Sequence, residues 1–332
     1  MVPLLTAAEA DLRVDGCVLL NPARAAMNLH TLDHEKAILD WIREGTPVSI
    51  EKALLILSGL ETDTAIRAYQ KKIDDIFGRF ADKCDRQQFA GRSQPPPYMH
   101  RTIAQCLFDY LWNSKPKRFG ESFLITEVVD AQLNPDLHCA VGTCVGLTSL
   151  YSVLGLRAGL HLTLLVTSDH LLNRLRLGQQ TVDLDHTDPL GFDCPARKHS
   201  REFPLQMLAA NVLNCRGLRN AANGHASAAK ADYGKAIFVN PEYANAFNNR
   251  GNLRLGDQDL EGAIADYTEA IRLNPGFCEA YCNRGIAKHR LGRFEEARQD
   301  YHLAMETDAE YADARKCLQI LDDMEHSRAP VK

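Results

Sequence analysis

The chain has 332 residues, of which 45% are hydrophobic and 24% are charged. This composition is typical of a globular protein with two or three packing units, and it excludes a collagen, a coiled-coil rod and a mainly disordered chain. The 38 basic and 43 acidic residues give a net charge of −5 and are mixed along the sequence, so we expect no nucleic acid partner.

The sequence also predicts where the protein resides. Its start lacks a basic segment followed by a long apolar one, and the longest apolar stretch, residues 160–166, is far shorter than the ~20 residues that span a bilayer. The ten cysteines are scattered and form no Cys-x-x-Cys pair. We therefore expect a cytoplasmic protein with reduced thiols, no membrane span, and neither a metal nor another cofactor.

After a tail of undetermined structure, residues 1–30, the first half of the chain is predicted to be helical. Apolar residues recur at three-and-four spacing, as Ile66, Ile73 and Phe80 do within residues 61–80. Prolines predict a loop at 92–98. The predicted helices begin at Asp33 and at Ser49 and cover 61–80, 98–112 and about 121–133.

The pattern then changes to one helix followed by three short strands. Residues 144–154 are predicted to be helical, and residues 160–166, 170–177 and 181–184 to be strands, the last two joined by a turn at Gly178-Gln179. Cys144 stands at the start of this helix, where the helix dipole and the unpaired amides of the first turn favour a thiolate. Cys144 is therefore a candidate nucleophile.

His170 and Asp185 are the candidate base and its orienting acid. If Gly178-Gln179 is a two-residue turn, Leu177 faces Gln180, and His170 and Asp185 become diagonal neighbours on one face, about 7 Å apart at Cβ. Asp183 shares that face but lies one diagonal further away, so it ranks second. A three-residue turn would place Asp185 on the opposite face unless a β-bulge compensates.

These residues resemble a known family. Gly142 and Cys144 at a helix start, His170 on a strand, and Asp185 and Thr187 one strand later are similar to the transglutaminase-like superfamily, whose members have a papain-type fold. The N-terminal helices are similar to those of bacterial SirB-type proteins, which join such a core to repeats. The resemblance implies an α+β papain/transglutaminase-like core with a helical N-terminal segment, residues 31–200, and a Cys–His–Asp triad.

The resemblance implies attack of the thiolate on an amide carbonyl of a protein substrate, but it does not separate a protease, a deamidase and a cross-linking enzyme. The N–H of Cys144 is a candidate oxyanion donor, together with Gln132, Asn134 or His138.

Other interpretations of the same residues are simpler. Cys144 can be a buried helix cysteine, His170 a residue at a strand end and Asp185 a turn initiator. A metal site is disfavoured because adjacent residues on a strand point to opposite faces and rarely converge on one ion. The residues considered for it are Asp183, Asp185, His186 and Asp188.

The last third of the chain has a 34-residue period. Four columns of residues each recur three times at this interval: the glycines 217, 251 and 285, the tyrosines 233, 267 and 301, and two columns of alanines. Small residues allow the two helices of one repeat to approach closely, and the tyrosine is predicted to fill the groove to the next repeat. This pattern resembles the tetratricopeptide repeat, and it implies an all-α solenoid of three repeats with a final capping helix, residues 205–325.

The concave side of the repeats is a candidate site for a protein or peptide partner. Its candidate residues are Asn249, Arg250, Asn283 and Arg284, which could hydrogen-bond an extended peptide; alternatively, the arginines pair with local acids and the asparagines are solvated. Glu279 stands where repeats that clamp two carboxylates have a lysine. The sequence thus leaves two functions open: a cysteine-dependent enzyme with a partner-binding solenoid, or a non-catalytic adaptor that acts through the repeats.

Overall fold

A computed structural model describes residues 13–14, 17–18, 34–43, 49–84, 97–167, 170–195, 200–308 and 311–328. The predicted N-terminal tail lies outside these residues, apart from a short antiparallel pair of strands, β1 (Arg13–Val14) and β2 (Cys17–Val18). Most of the proline-rich loop also lies outside them. No helix in the described ranges is long and apolar enough to cross a membrane.

The first half of the described chain is helical, in the predicted order. Ser49 and Thr62 cap two of these helices, because their side chains accept hydrogen bonds from the backbone N–H groups of Lys52 and Ala65 at 3.4 and 3.2 Å. The third helix extends to Lys83, beyond its predicted end. The helices are His34–Arg43, Ile50–Leu57, Asp63–Lys83, His100–Ser114, Ile125–Leu133 and Cys144–Arg157, with a short 3₁₀ turn at Pro97–Met99.

A four-stranded antiparallel sheet follows. Its strands are β3 (Leu162–Val166), β4 (Leu171–Leu177), β5 (Gln180–Leu184) and β6 (Arg201–Phe203), in the spatial order β5-β4-β3-β6. Leu177 pairs with Gln180, which confirms the predicted two-residue turn. Gly178 begins that turn at φ 65°, a backbone region that favours glycine.

The sequence did not predict β6. Its three residues are too few, and too polar, to show an alternating pattern. The strand is held on β3 by Glu202, whose carboxylate accepts hydrogen bonds from Thr163 and Arg176 at 2.5 and 2.7 Å. These contacts connect residues distant in the chain, so only the tertiary structure brings them together.

The helix Cys144–Arg157 lies in the core and is buried on all sides. Its residues 145–155 are all buried. The fully buried Tyr151 donates a hydrogen bond from its hydroxyl to the backbone oxygen of Ala104 at 2.8 Å, which ties this helix to the helix His100–Ser114. A helix buried on all sides has little freedom to shift, so its first residue, Cys144, is held in a defined place.

Three helix pairs and a final helix form the C-terminal part. In each pair the tyrosine ring lies against the glycine of the same repeat: a Cβ on Gly251 would be 2.7 Å from Cε1 of Tyr267. Tyr267 also belongs to a buried cluster with Ala287 of the next repeat, and Tyr301 to one with Ala314 of the final helix, as predicted for a ring that fills the groove to the following element. The pairs are Leu208–Ala222 with Ala226–Val239, Ala244–Gly256 with Leu260–Leu273, and Cys278–Arg290 with Phe294–Thr307; the final helix is Ala312–Arg328.

The first repeat packs directly onto the core. One continuous cluster of buried apolar residues extends from Ile38 in the first helix to Ala246 in the second repeat. Ion pairs add to this contact: Arg219 binds Glu127 at 2.7 Å, and Arg216 binds Glu35 at 2.6 Å. The solenoid therefore begins as part of the same packed body that holds Cys144.

Candidate active site and repeat surface

Cys144 is the first residue of the helix Cys144–Arg157. Thr143 caps this helix, since its hydroxyl accepts a hydrogen bond from the backbone N–H of Gly146 at 3.3 Å. The backbone N–H groups of the first turn have no partner within the helix. The half-buried thiol therefore lies at the positive end of a helix, as the sequence predicts.

The glycines at positions 142 and 146, on either side of Cys144, are explained by steric limits. The segment before the helix runs beside residues 118–122, and Thr143 donates its backbone N–H to Ser122 O at 2.7 Å. A Cβ on Gly142 would lie 2.5 Å from that same oxygen, and a Cβ on Gly146 would lie 2.6 Å from it. Both glycines thus permit the close backbone approach that fixes the position of Cys144.

His170 is positioned beside the helix Cys144–Arg157 by hydrogen bonds that involve its own backbone and that of the next residue. Its backbone N–H donates to Thr167 Oγ1 at 2.9 Å, and its carbonyl accepts from Thr167 N at 3.0 Å. The next residue, Leu171, accepts a hydrogen bond at its carbonyl from Thr148 Oγ1 at 3.2 Å. Thr148 lies one turn after Cys144 on the same face of the helix, so this bond brings His170 beside the thiol.

Asp185 follows directly after β5 and binds the imidazole. Its Oδ1 lies 2.9 Å from His170 Nε2 and also accepts hydrogen bonds from the hydroxyl and the backbone N–H of Thr187, at 2.6 and 3.0 Å. The loop closes tightly around the acid, since a Cβ on Gly191 would be 2.1 Å from Asp185 O. The carboxylate is 5% exposed and therefore depends on these partners.

The three side chains influence one another's charge. The hydrogen bonds with Asp185 and then with Cys144 raise the pKa of His170 to about 9, although burial opposes this. Burial alone would raise the pKa of Asp185, but its bonds with His170 and Thr187 outweigh burial and hold that pKa below its usual value. At neutral pH the imidazole is therefore a cation between the acid and the sulfur.

The other candidate acid and the neighbouring histidine are engaged elsewhere. Asp183 receives a two-pronged hydrogen bond from Arg174, at 2.6 and 2.8 Å. His186 is 3% exposed, stacks on Tyr151 and lies 2.8 Å from Asn173 Oδ1, and its burial lowers its pKa to about 3. Within the described ranges no three His, Cys, Asp or Glu side chains converge as metal ligands would.

Of the side-chain candidates for an oxyanion donor, Gln132 is already occupied. Its amide nitrogen donates to Ser114 Oγ at 2.9 Å, and its oxygen accepts from Arg118 at 2.6 Å. The side-chain oxygen of Asn134 accepts a hydrogen bond from its own loop, from Asp136 N at 2.9 Å. The backbone N–H of Cys144, in the first turn of its helix, has no acceptor within that helix and stays the candidate oxyanion donor.

Two residues near Cys144 come from the repeats and were missed by the sequence analysis. Burial, and then the charge of Cys144, raise the pKa of Cys215 to about 12. Burial, and then the charges of Cys215 and Cys144, raise the pKa of Tyr243. Tyr243 donates its hydroxyl to Asn211 at 3.0 Å. The 34-residue period could have drawn attention to Cys215, because this residue occupies in the first repeat the position that Asn249 and Asn283 occupy in the second and third.

The candidate partner-binding asparagines form a chain of amide hydrogen bonds along the first helices of the repeats. The side-chain nitrogen of Asn249 donates to Asn214 Oδ1 at 3.0 Å, and that of Asn283 donates to Asn252 Oδ1 at 3.0 Å and Asn248 Oδ1 at 3.3 Å. Amides keep further donors and acceptors in such a chain, because each carries two N–H groups and an oxygen with two lone pairs.

The candidate arginines pair with acids inside their own repeats. Arg250 binds Asp266 at 2.9 and 2.7 Å, and Arg284 binds Asp300 at the same two distances. Arg216 binds Asp232 in the first repeat in the same way. The arrangement with local acids is therefore the one that the arginines adopt, and these buried pairs join the two helices of each repeat.

Comparison with known proteins agrees with this architecture at the C-terminus. Residues 257–292 match a family described as TPR repeat, and residues 279–311 match one described as tetratricopeptide repeat. The C-terminal part of the chain is a tetratricopeptide-repeat solenoid. The prediction made from the 34-residue columns is thereby confirmed.

Several solved tetratricopeptide structures are similar to this chain. The Arabidopsis OM64 TPR domain is 25% identical, with a TM-score of 0.35, over 36% of this chain and 98% of that one. The first TPR of Spaghetti (RPAP3), bound to an HSP90 peptide, is 25% identical, with a TM-score of 0.35, over 36% of this chain and 94% of that one. The second TPR domain of human RPAP3, in complex with an HSP70 peptide, is 27% identical, with a TM-score of 0.34, over 35% of this chain and 96% of that one. The comparison with curated proteins finds no match.

Proposed function

We propose that Cys144, His170 and Asp185 form a catalytic triad for cysteine-dependent acyl transfer or amide hydrolysis, within a transglutaminase-like core. One observation carries this proposal: His170 is hydrogen-bonded to Asp185 at 2.9 Å and lies close enough to Cys144 for the thiol to raise the pKa of the imidazole. The helix start at the thiol favours negative charge on the sulfur. Together these are the parts of an activated nucleophile: a thiol, a base within reach and an acid that orients the base.

The proposed reaction begins with attack of the Cys144 thiolate on an amide carbonyl carbon. A C–S bond forms, the C–N bond breaks, and the His170 imidazolium gives its proton to the leaving amine or ammonia. Asp185 holds Nε2, which leaves Nδ1 to exchange the proton with the reacting groups. Water then converts the thioester to a carboxylic acid, or a second amine converts it to a new amide, and the thiolate and the imidazolium are restored.

The solenoid would supply the protein partner. Asn249 and Asn283 offer amide donors and acceptors on the first helices of the repeats, and an extended peptide presents the matching groups along its backbone. The guanidinium groups of Arg250 and Arg284 are engaged by Asp266 and Asp300 within their own repeats, so recognition would rest on the amide hydrogen bonds of the asparagines. This differs from a clamp for acidic peptide ends.

The first test is the reactivity of Cys144. We expect iodoacetamide to modify Cys144 below pH 7 at least about tenfold faster than free cysteine, because the imidazolium and the helix start stabilise its thiolate. The measurement is peptide mass spectrometry over a pH series, with Cys144→Ala to identify the site. Cys215 is the internal control, since its pKa is raised to about 12. If Cys144 itself does not outpace free cysteine below pH 7, the enzymatic proposal is wrong, whatever the other thiols do.

The second test separates the enzyme from the adaptor. We expect Cys144→Ser to retain partner proteins more strongly than the wild type, because a substrate bound to the inactive site is not turned over. Adding Asn249→Ala and Asn283→Ala should abolish this retention, whereas Asn223→Ala, which changes an exposed residue at a helix end, should not. The measurement is quantitative mass spectrometry of the retained proteins.

Equal retention by the wild type and Cys144→Ser, lost on substitution of the asparagines, would favour the alternative function, a non-catalytic adaptor. The observation that supports this alternative is the solenoid itself, with its chain of amide contacts. Retention unaffected by the asparagine substitutions would contradict the proposed role of the concave side in both functions.

A further inference from the structure

Two cysteines far from Cys144 meet where the solenoid ends. Cys282 belongs to the helix Cys278–Arg290 and is 1% exposed, and Cys317 belongs to the final helix, Ala312–Arg328, and is half-buried. Both belong to the apolar cluster that joins this helix to the last repeat, together with Tyr301 and Ala314. The two thiols therefore lie across the interface between the last repeat and its capping helix.

The side chains around these thiols make them unequal. The hydrogen bond with Cys282 lowers the pKa of Cys317 to about 7, against the opposing effects of burial and of Asp313, and the same bond raises the pKa of Cys282. Tyr301 contributes to this, since its buried hydroxyl has no nitrogen or oxygen partner in the described residues and lies beside the Cys317 sulfur. Cys317 is thus the thiol that reacts, and Cys282 is a neutral thiol next to it.

Cys317 can be reached from solvent. It lines an open cavity of about 510 Å³ together with Tyr301, His289, Arg290 and Phe294. Arg290 adds positive charge at the same cavity, which favours the approach of small anionic or polar oxidants. Cys282 does not line this cavity and is almost fully buried, so a reagent that enters meets Cys317 first.

We propose that Cys317 and Cys282 are a peroxide-sensitive thiol pair that forms a disulfide and fastens the capping helix to the last repeat. The Cys317 thiolate attacks one oxygen of hydrogen peroxide, the O–O bond breaks, and a sulfenic acid and hydroxide result. The Cys282 sulfur then attacks the sulfenic sulfur, an S–S bond forms, and the sulfenic OH leaves with the Cys282 proton as one water. The hydroxide from the first step takes up the proton that Cys317 had released and becomes the second water. Two thiols and one peroxide thus give one disulfide and two waters.

The disulfide would stabilise the end of the solenoid. In a repeat array each repeat contacts only its neighbours, so the terminal repeat and its cap are the first to fray. A bond between residues 282 and 317 closes a loop of about 35 residues that contains the second helix of the last repeat and part of the cap, and such a loop restricts the open states. Oxidation would therefore hold this end of the solenoid in its closed, capped form.

The test uses the full-length protein in the Cys144→Ala background, so that its outcome is independent of the proposed enzymatic site. After treatment with one equivalent of hydrogen peroxide and alkylation of the remaining thiols, non-reducing peptide mass spectrometry should show a linked Cys282–Cys317 peptide. Cys317→Ser and Cys282→Ser should abolish it, and dithiothreitol should reverse it. Cys278→Ser, one turn from Cys282 on the same helix, is the matched control and should retain it. Hydrogen exchange of residues 312–328 should slow by at least about tenfold on oxidation.

The pair Cys84 and Cys106 provides a second, internal comparison. These thiols also lie next to each other, but Cys84 is buried and neither of them lines the cavity that opens onto Cys317, so their oxidation should be slower. The proposal is overturned if Cys317 accumulates as sulfinic acid without the cross-link, if Cys317 links to Cys278 instead, or if Cys84 and Cys106 become linked equally fast. If Cys282→Ser does not fold, Cys317→Ser alone decides the outcome, since Cys317 is only half-buried.

Discussion

Replacing Asp185 by Asn should lower the pKa of His170 from about 9 toward its ordinary value of 6.5. The carboxylate is the largest cause of the raised pKa, and an amide retains the shape but not the charge that favours the imidazolium. Modification of Cys144 by iodoacetamide at pH 7.5 should then slow by about tenfold, because at this pH an imidazole of ordinary pKa is mostly neutral and no longer stabilises the thiolate. Histidine NMR over a pH series and alkylation rates measure both effects.

The same substitution has a predicted effect on stability. Because the folded-state pKa of His170 is raised, its contribution to the free energy of unfolding is fully present below pH 6.5 and is lost as the pH rises through about 9. Asp185→Asn should remove most of this pH dependence. Asp188→Asn is the matched control, because it changes an exposed carboxylate in the same loop, which accepts a hydrogen bond from Leu190 N at 2.9 Å. A His170 pKa that stays near 9 in Asp185→Asn, or an equal effect of Asp188→Asn, would contradict the proposed triad.

Replacing Tyr267 by Ala should destabilise the solenoid by about 3–5 kcal/mol, the usual cost of removing a large buried aromatic side chain. The ring is fully buried against Gly251, and its hydroxyl donates to Asn252 at 2.8 Å. Both contacts join the two helices of one repeat, so removing the ring should weaken the packing between these helices. Urea unfolding followed by circular dichroism measures the change, with Tyr98→Ala as control because Tyr98 is 78% exposed.

The location of this loss can be checked in the same experiment. The two tryptophans, Trp41 and Trp112, precede the repeats in the chain, and Trp112 packs against the core, so tryptophan fluorescence reports the N-terminal half. Since stability in a solenoid is carried by each repeat and its neighbours, the circular dichroism transition should shift more than the fluorescence transition. Equal shifts of both signals would show that the core and all repeats unfold as one unit, contrary to this expectation.

Much of the site could be predicted from the sequence because its parts are local. Thr143 and Cys144 mark a helix start by capping chemistry, and Gly178 sets a turn whose register determines which side of the hairpin carries Asp185. The distance from His170 to Asp185 then follows from the geometry of a sheet. What local chemistry does not give is the contact between the hairpin and the helix, which depends on Thr148 reaching the carbonyl of Leu171.

Other features could be read only with the structure at hand. The columns Arg216, Arg250, Arg284 and Asp232, Asp266, Asp300 repeat every 34 residues, yet the sequence does not say that each arginine binds the acid of its own repeat. The burial of Arg118 is another example. This residue is 2% exposed and bonded to Gln132, and burial lowers its pKa to about 9.

The sequence by itself determined the elements whose pattern is periodic or local: the repeats, the helix that begins at Cys144 and the hairpin of β4 and β5. Periodicity and turn chemistry act over a few residues, and therefore they can be recognised without knowing the rest of the chain. Only the tertiary structure decided that β6 joins the sheet, that the first repeat shares the core and that Cys282 meets Cys317. Those contacts join residues far apart in the chain, and they form because burying apolar surface brings distant segments together in an arrangement that no local pattern specifies.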